Sequence, residues 1–337
     1  MAGVSTLAQL NAQLRRFDTL GTQFANLQNS LSSNKKADTY DGLGSDSLST
    51  LRYRTTVQSG EQFIRNITIA NTRISAVTGS VSLIQKQVAQ MQKGILQQPI
   101  EGQTDLSSVK AYTDKLLQIM GGNLNQQVDG RYVLAGADYE VQPYNGDDKL
   151  KTLVAKDLAD WKDGTITTEQ LLAKFDGYTD DEVGFSAEVI TAGNVSVRAD
   201  TDINMDYTFK ANDPSIKKVL ITAQVFSQLT YPAETDAPGE AEFQSVLKAM
   251  STKLNEGADG MEVKAVSVTA TSASLNEVLE RHKYDVASLE GLIEGIENID
   301  VTETAVKLQN VKLQLEASYA VSSTLASLNL VSYLGPG

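Results

Sequence analysis

Residues 301–334 contain neither proline nor glycine, so nothing in them breaks a helix. Apolar or small residues recur there at intervals of three and four: Val301, Ala305, Leu308, Val311, Leu315, Ser318, Ser322 and Leu325, with Leu328 beyond them. That spacing keeps one stripe of a helix turned toward a partner helix. A matching stripe lies at the other end of the chain. Leu7, Leu10, Leu14, Phe17, Gly21, Phe24 and Leu31 follow one heptad seam, and Leu20 and Leu27 widen it. An isolated helix of this kind is marginal in water. The simplest arrangement packs the two termini on each other, with the remaining chain strung between them. Periodicity alone leaves open whether these stripes form an internal core or a contact between copies.

Proline placement divides the rest. Pro99, Pro143, Pro214, Pro232 and Pro238 fall in the middle, whereas residues 1–98 and 239–335 have none and are free to form long helices. After the first stripe, residues 32–46 are rich in Asn, Asp, Ser and Gly and read as a loop, with Ser45 or Asp46 placed to cap the next helix. That helix has a regular seam of Ile74, Val77, Val81, Ile84, Val88, Met91 and Ile95, extended backward by Ile64 and Ile67, which argues for a coiled coil. Its polar faces carry Gln, Asn, Ser and Thr, suited to close contact with other copies. A turn is expected at 99–103 and a further helix at 104–128.

Residues 131–210 have short β-type runs between turn residues, which predicts a small mixed sheet, with a short helix near 166–175. Asp213-Pro214 is a helix start, with Asp as N-cap. Residues 231–239 read as a linker. Helices are expected at 241–256 and 262–299, with a joint at 297–300 before the terminal helix. The expected fold is α+β: a long coiled-coil rod of terminal helices and a small mixed α/β head. The expected parts are 1–128, 129–240 and 241–337.

Composition narrows function. The 337 residues carry a formal net charge of −13, which disfavours nucleic acid and anionic membranes as partners. No apolar run is long enough for a transmembrane helix, and the N-terminus lacks the pattern of a conventional secretion signal. Cysteine is absent, and His282 is the one histidine, so disulfides, thiolate sites and histidine clusters are excluded. No cofactor, metal or catalytic residue is expected, and the chain is read as a non-enzyme. Three local features have a sharper reading beside a plain one. His282, on the seam side of its helix, is a packed or interfacial histidine or a ligand. Residues 176–183 are a solvated acidic loop or a calcium loop, though the EF-hand spacing is missing. Gly42-Leu43-Gly44 is a helix-connecting loop or a phosphate cradle. A concave pocket in 131–240 with perturbed carboxylates would favour an enzyme.

The N-terminal heptad helix, the Asp/Gly/Ser loop at 38–46, the long second helix and the proline-free C-terminal helix resemble the bacterial flagellin superfamily. Within it the chain is most similar to the hook–filament junction group, hook-associated protein 3. Residues 129–144, DGRYVLAGADYEVQPY, resemble that group's GRYLFxG…P segment, and LEASYA at 315–320 with SLNLVSYL at 327–334 resembles its C-terminus. Residues 32–41 and the YLGPG end depart from filament flagellins, which remain the alternative within the class. The resemblance implies a secreted, extracellular structural subunit of the flagellum, serving motility. It would be exported by the flagellar type III apparatus and would self-assemble through terminal coiled coils. Its partners would be copies of itself, other axial proteins (hook-associated protein and flagellin) and an export chaperone. Leu7, Leu10, Leu14, Phe17, Phe24, Leu31, Ile74, Val77, Val81, Ile84, Val88, Leu308, Val311, Leu315, Leu325 and Leu328 would carry the assembly contacts.

Overall fold

The structure, a computed structural model, describes residues 2–96 and 106–333. The turn expected at 99–103 lies outside them. The chain forms α1 (Ala2–Ser33), a 3-10 stretch (Tyr40–Asp46), α2 (Ser47–Leu96) and α3 (Ser107–Leu124). A hairpin of β1 (Gln127–Val128) and β2 (Arg131–Tyr132) follows. Next come α4 (Asp148–Lys162), α5 (Thr168–Gly177), α6 (Asp180–Val183) and α7 (Ala187–Thr191). A second hairpin, β3 (Ser196–Arg198) with β4 (Asn204–Asp206), precedes α8 (Pro214–Gln228), α9 (Glu240–Glu297) and α10 (Val301–Tyr333). The fold is mostly helical with two small antiparallel sheets.

Several local signals act as their chemistry dictates. Asp213 caps α8, its carboxylate accepting the Ser215 amide at 2.9 Å. Thr167 with Gln170 and Thr179 with Glu182 close capping boxes on α5 and α6. Asp129 and Gly130 take φ of 52° and 72° at the β1–β2 turn, the left-handed pair that a two-residue hairpin needs.

Three expectations are corrected. The mixed sheet is two separate hairpins, and part of the β-type 131–210 stretch is α7, where Ser186 accepts the Val189 amide. The polar 40–46 stretch coils as a 3-10 helix kinked at Gly44, whose φ is 60°. Finally, α9 does not break near 257–261. Gly257 and Gly260 sit mid-helix because α8 passes too close for a side chain. A Cβ on Gly257 would lie 2.7 Å from Val219 Cγ2, and one on Gly260 2.8 Å from Ser215 Cβ.

The chain divides into two compact units, residues 1–61 with 283–337, and residues 62–282. The second holds the main core. There α8 is enclosed on nearly every side, with Ile216, Val219, Leu220, Ala223, Val225 and Phe226 all buried. The inner face of α2, together with α3 and α9, adds Met91, Leu116, Met120, Phe243 and Met250. Trp161 on α4 is 2% exposed and donates from Nε1 to the Thr168 hydroxyl at 3.0 Å.

Candidate assembly surface

In the first unit α1 and α10 lie side by side in opposite directions. The Ile299 amide donates to the Asn34 carbonyl at one end of the pair, and Phe17 meets Tyr319 with ring centroids 4.9 Å apart farther along. Phe17, Leu20, Phe24, Leu27 and Leu31 of α1 are half-buried in phase, facing Leu308, Val311, Leu315, Ser318 and Ser322 of α10. The phase is a strict heptad alternation, so the pair touches along one narrow seam. Thr304, buried, begins the α10 stripe, while Val301 is exposed. Leu14 is 55% exposed and lies off the seam, whereas Leu20 and Leu27 lie on it. Leu7, Leu10, Leu325 and Leu328 lie in helical backbone, but their side chains fall outside the described residues.

The seam leaves much of α10 uncovered. Val306 is 54% and Leu313 58% exposed on the side away from α1, and Ala317 and Ala320 continue that side. Residues 317–333 contain no charged side chain. A helix that is apolar all round is normally buried all round. Here, among the described residues, one neighbour covers one stripe. Even the seam has gaps: a groove beside Phe17, Ser318 and Ser322 and another beside Leu27 and Val311 open to solvent.

A polar clamp fixes the root of this pair. Glu297, at the end of α9, accepts from Arg54 Nη2 with its two oxygens at 2.7 and 2.8 Å and from Lys35 Nζ at 3.0 Å. The Lys36 amide donates to the Glu297 carbonyl at 2.7 Å, and Lys36 Nζ to the Gly295 carbonyl at 2.8 Å. Asn34, at φ 58°, turns the chain into this contact. Burial alone would push the Glu297 carboxyl up, but the Arg54 and Lys35 hydrogen bonds and charges outweigh it and hold the carboxyl below its ordinary value. The same contact raises the Arg54 guanidinium. No local sequence signal marks this clamp, because Arg54 and Glu297 are 243 residues apart.

The α2 seam lies elsewhere. Ile74, Val77, Val81, Ile84 and Val88 are all buried within the second unit. In this chain they are core residues.

The remaining candidates resolve into structural roles. His282 is buried, stacks on Phe63 at 5.1 Å and donates from Nε2 to the Ala199 carbonyl at 2.8 Å. The acidic 176–183 stretch does not converge on one point. Asp180 pairs with Lys217 at 2.8 Å, Asp181 with Lys149 at 3.0 Å, and Asp176 with Lys253. At Gly42 a Cβ would strike the Ala37 Cβ, so the glycine serves a close turn.

A cleft of about 540 Å³ does open in the second unit, lined by Asp180, Asn194, Asp206, Thr208, Lys210 and Lys264 among others. Burial favours the neutral form of Asp180 and Asp206. For Asp180 this is outweighed by hydrogen bonds from Lys217 and Asn212, with Lys210 adding charge. For Asp206 it is outweighed by Thr208 and Asn194, with Lys264 adding charge. Both carboxyls are therefore held below their usual value, away from the neutral-pH range in which a general acid or base works best.

No protein-family model matches the chain, and no curated protein matches it. Among solved structures, a chain from Vibrio parahaemolyticus, provisionally described as a flagellar hook-associated protein, superposes with a TM-score of 0.52 at 13% identity. The match covers 77% of this chain and 98% of that one, and shows that the two share a fold. None of the described helices is long and apolar enough to cross a membrane.

Proposed function

We propose that this chain is a structural subunit of the bacterial flagellum, a hook–filament junction protein that assembles with copies of itself through α1 and α10. The observation that carries the reading is the uncovered apolar surface of α10. One partner helix shields one stripe, and the rest needs neighbours. At about 25 cal/mol per Å², burying ~1,000 Å² of apolar surface is worth ~25 kcal/mol before ordering costs. Ordering helical termini costs ~1–2 kcal/mol per residue, so order and assembly would be coupled. The fold shared with the hook-associated Vibrio chain supports the flagellar setting, and the 129–144 and 315–334 resemblances favour the junction group over filament flagellin.

In this reading α1 and α10 form coiled coils with those of neighbouring subunits, and residues 129–240 face outward. The protein is secreted through the flagellar export apparatus, with a chaperone covering its tail, and contacts hook-associated protein and flagellin at its two ends. It is not an enzyme; ion-paired carboxylates and the packed His282 support that part. The test is truncation. Removing 1–30 or 305–337 should abolish polymer while leaving residues 62–282 folded by circular dichroism. A truncated chain that still sediments as polymer would refute the proposal. Long tubes from the intact chain alone would favour filament flagellin; growth only on a hook would favour the junction protein.

A further inference from the structure

The second unit has two outward stripes that the assembly reading leaves unused. On α2, opposite its buried seam, Ile69, Thr72, Ala76, Gly79 and Leu83 repeat at three–four spacing; Ile69 is 43% and Leu83 48% exposed. Arg65 precedes this stripe and Lys86 and Lys93 follow it, and α2 has no carboxylate between 62 and 96. On α9, opposite its own buried side, Val263, Val266, Ala270 and Ala273 repeat in the same way; Val263 is 69% and Val266 62% exposed. Here the flanking charges are reversed: Asp259 and Glu262 precede the stripe, and Glu277 and Glu280 follow it.

We infer that the outward stripe of α2 in one copy docks on the outward stripe of α9 in the next. This rests on the assembly reading above and names a contact separate from α1 and α10. Lys86 lies past the centre of the α2 stripe by about the distance at which Asp259 and Glu277 flank the centre of the α9 stripe, roughly 14–15 Å at 1.5 Å per residue. The apolar centres can therefore meet while Lys86 finds a carboxylate, in either helix direction. Two α2 stripes facing each other would oppose cations, and two α9 stripes would oppose carboxylates. Like charges across a contact select against those pairings. The surviving pairing joins unlike patches, which can extend from copy to copy into rings or open helical arrays.

The absence of cysteine gives a clean background for the test. Full-length A76C and A270C chains, each carrying one thiol at the centre of one stripe, are treated with a short bis-maleimide separately and mixed. The mixture should give cross-linked dimer about tenfold faster than either alone. K86E/K93E on the first chain, or E262K/E277K on the second, should remove that excess, and combining both should restore it. Sedimentation of the wild-type chain is measured in parallel. If the wild type associates but the mixture shows no excess, or one variant links to itself equally fast, the inference is overturned and the assembly through α1 and α10 stands. If the wild type does not associate at any concentration, both fall.

Discussion

Helices α8 and α10 have similar composition and opposite fates. Each has apolar residues on every face and few charges: Lys217 and Lys218 on α8, and Glu303, Lys307, Lys312 and Glu316 on α10. In α8 the surroundings complete the burial so fully that Thr222 Oγ1 and Gln224 Oε1 are sealed in without a hydrogen-bond partner. Those orphans have a cost, and the enclosing core outweighs it. In α10 only the α1 stripe is shielded, and Leu313, Tyr319 and Val321 are each more than half exposed. Composition alone does not say where a helix lives. The number of neighbours does, and among the described residues α10 packs on one helix where α8 packs on several.

The comparison is broken most directly inside the second unit. Phe226→Ala on α8 removes a side chain 1% exposed and should cost about 3–5 kcal/mol, read from denaturant unfolding through Trp161 fluorescence. A loss under about 1 kcal/mol would mean that α8 is not the centre of the unit. Next in size is Gly257→Ala. The added methyl meets Val219 Cγ2 at 2.7 Å and the Ser215 carbonyl oxygen at 2.9 Å. Overpacking of about 1–3 kcal/mol should outweigh the ~1 kcal/mol helix gain from alanine. Stabilisation would show that α8 leaves room for a methyl group at Gly257.

The two helices also show what the sequence could and could not reveal. The α2 stripe from Ile74 to Val88 is an unbroken series of large apolar residues, whereas its opposite side mixes small and polar residues between Ile69 and Leu83, so its phase is readable. The α10 stripe offered several phases, because Val301, Ala305, Val306 and Leu313 are apolar too. Val301 and Ala305, which the three–four spacing puts on the stripe, lie off the face that Thr304 begins, while Leu308, Val311, Leu315, Ser318 and Ser322 lie on it. On α1 the same ambiguity put Leu14 on the seam and made Leu20 and Leu27 peripheral. The gap expected between 256 and 262 falls on Gly257 and Gly260, since a glycine that admits a neighbour and a glycine that ends a helix are written alike. Helix α4 was hidden by its charges, although Leu150, Val154, Leu158 and Trp161 line its buried side. The Glu297 clamp joins residues too distant for any local pattern to signal.

That clamp gives a third, smaller effect. The folded state holds the Glu297 carboxyl below its unfolded value. Its contribution is therefore complete above about pH 4.3 and fades as pH falls below that, through the lower folded value. Glu297→Gln should cost about 1–2 kcal/mol near neutral pH. That is less than a fully buried pair, because Arg54 and Lys35 are 45% and 40% exposed. Amide exchange at Lys36 and Ile299 should speed up in the variant while Trp161 fluorescence stays unchanged. If both reporters shifted together, the clamp would not be local to the first unit.

The smallest effect on stability is the one that separates the two helices most sharply. Leu313→Ser on α10 removes a side chain that is 58% exposed, so the isolated chain should unfold within about 0.5 kcal/mol of the wild type. A core residue of α8 has no such freedom. If the far side of α10 is completed by other copies, the same substitution should sharply reduce association in sedimentation, because it places a hydroxyl where an apolar side chain would be buried against a neighbour. A variant that unfolded early would mean that Leu313 is already covered within the chain. A variant that associated as well as the wild type would mean that the exposed side of α10 stays in water, and that its apolar residues have some purpose other than joining copies.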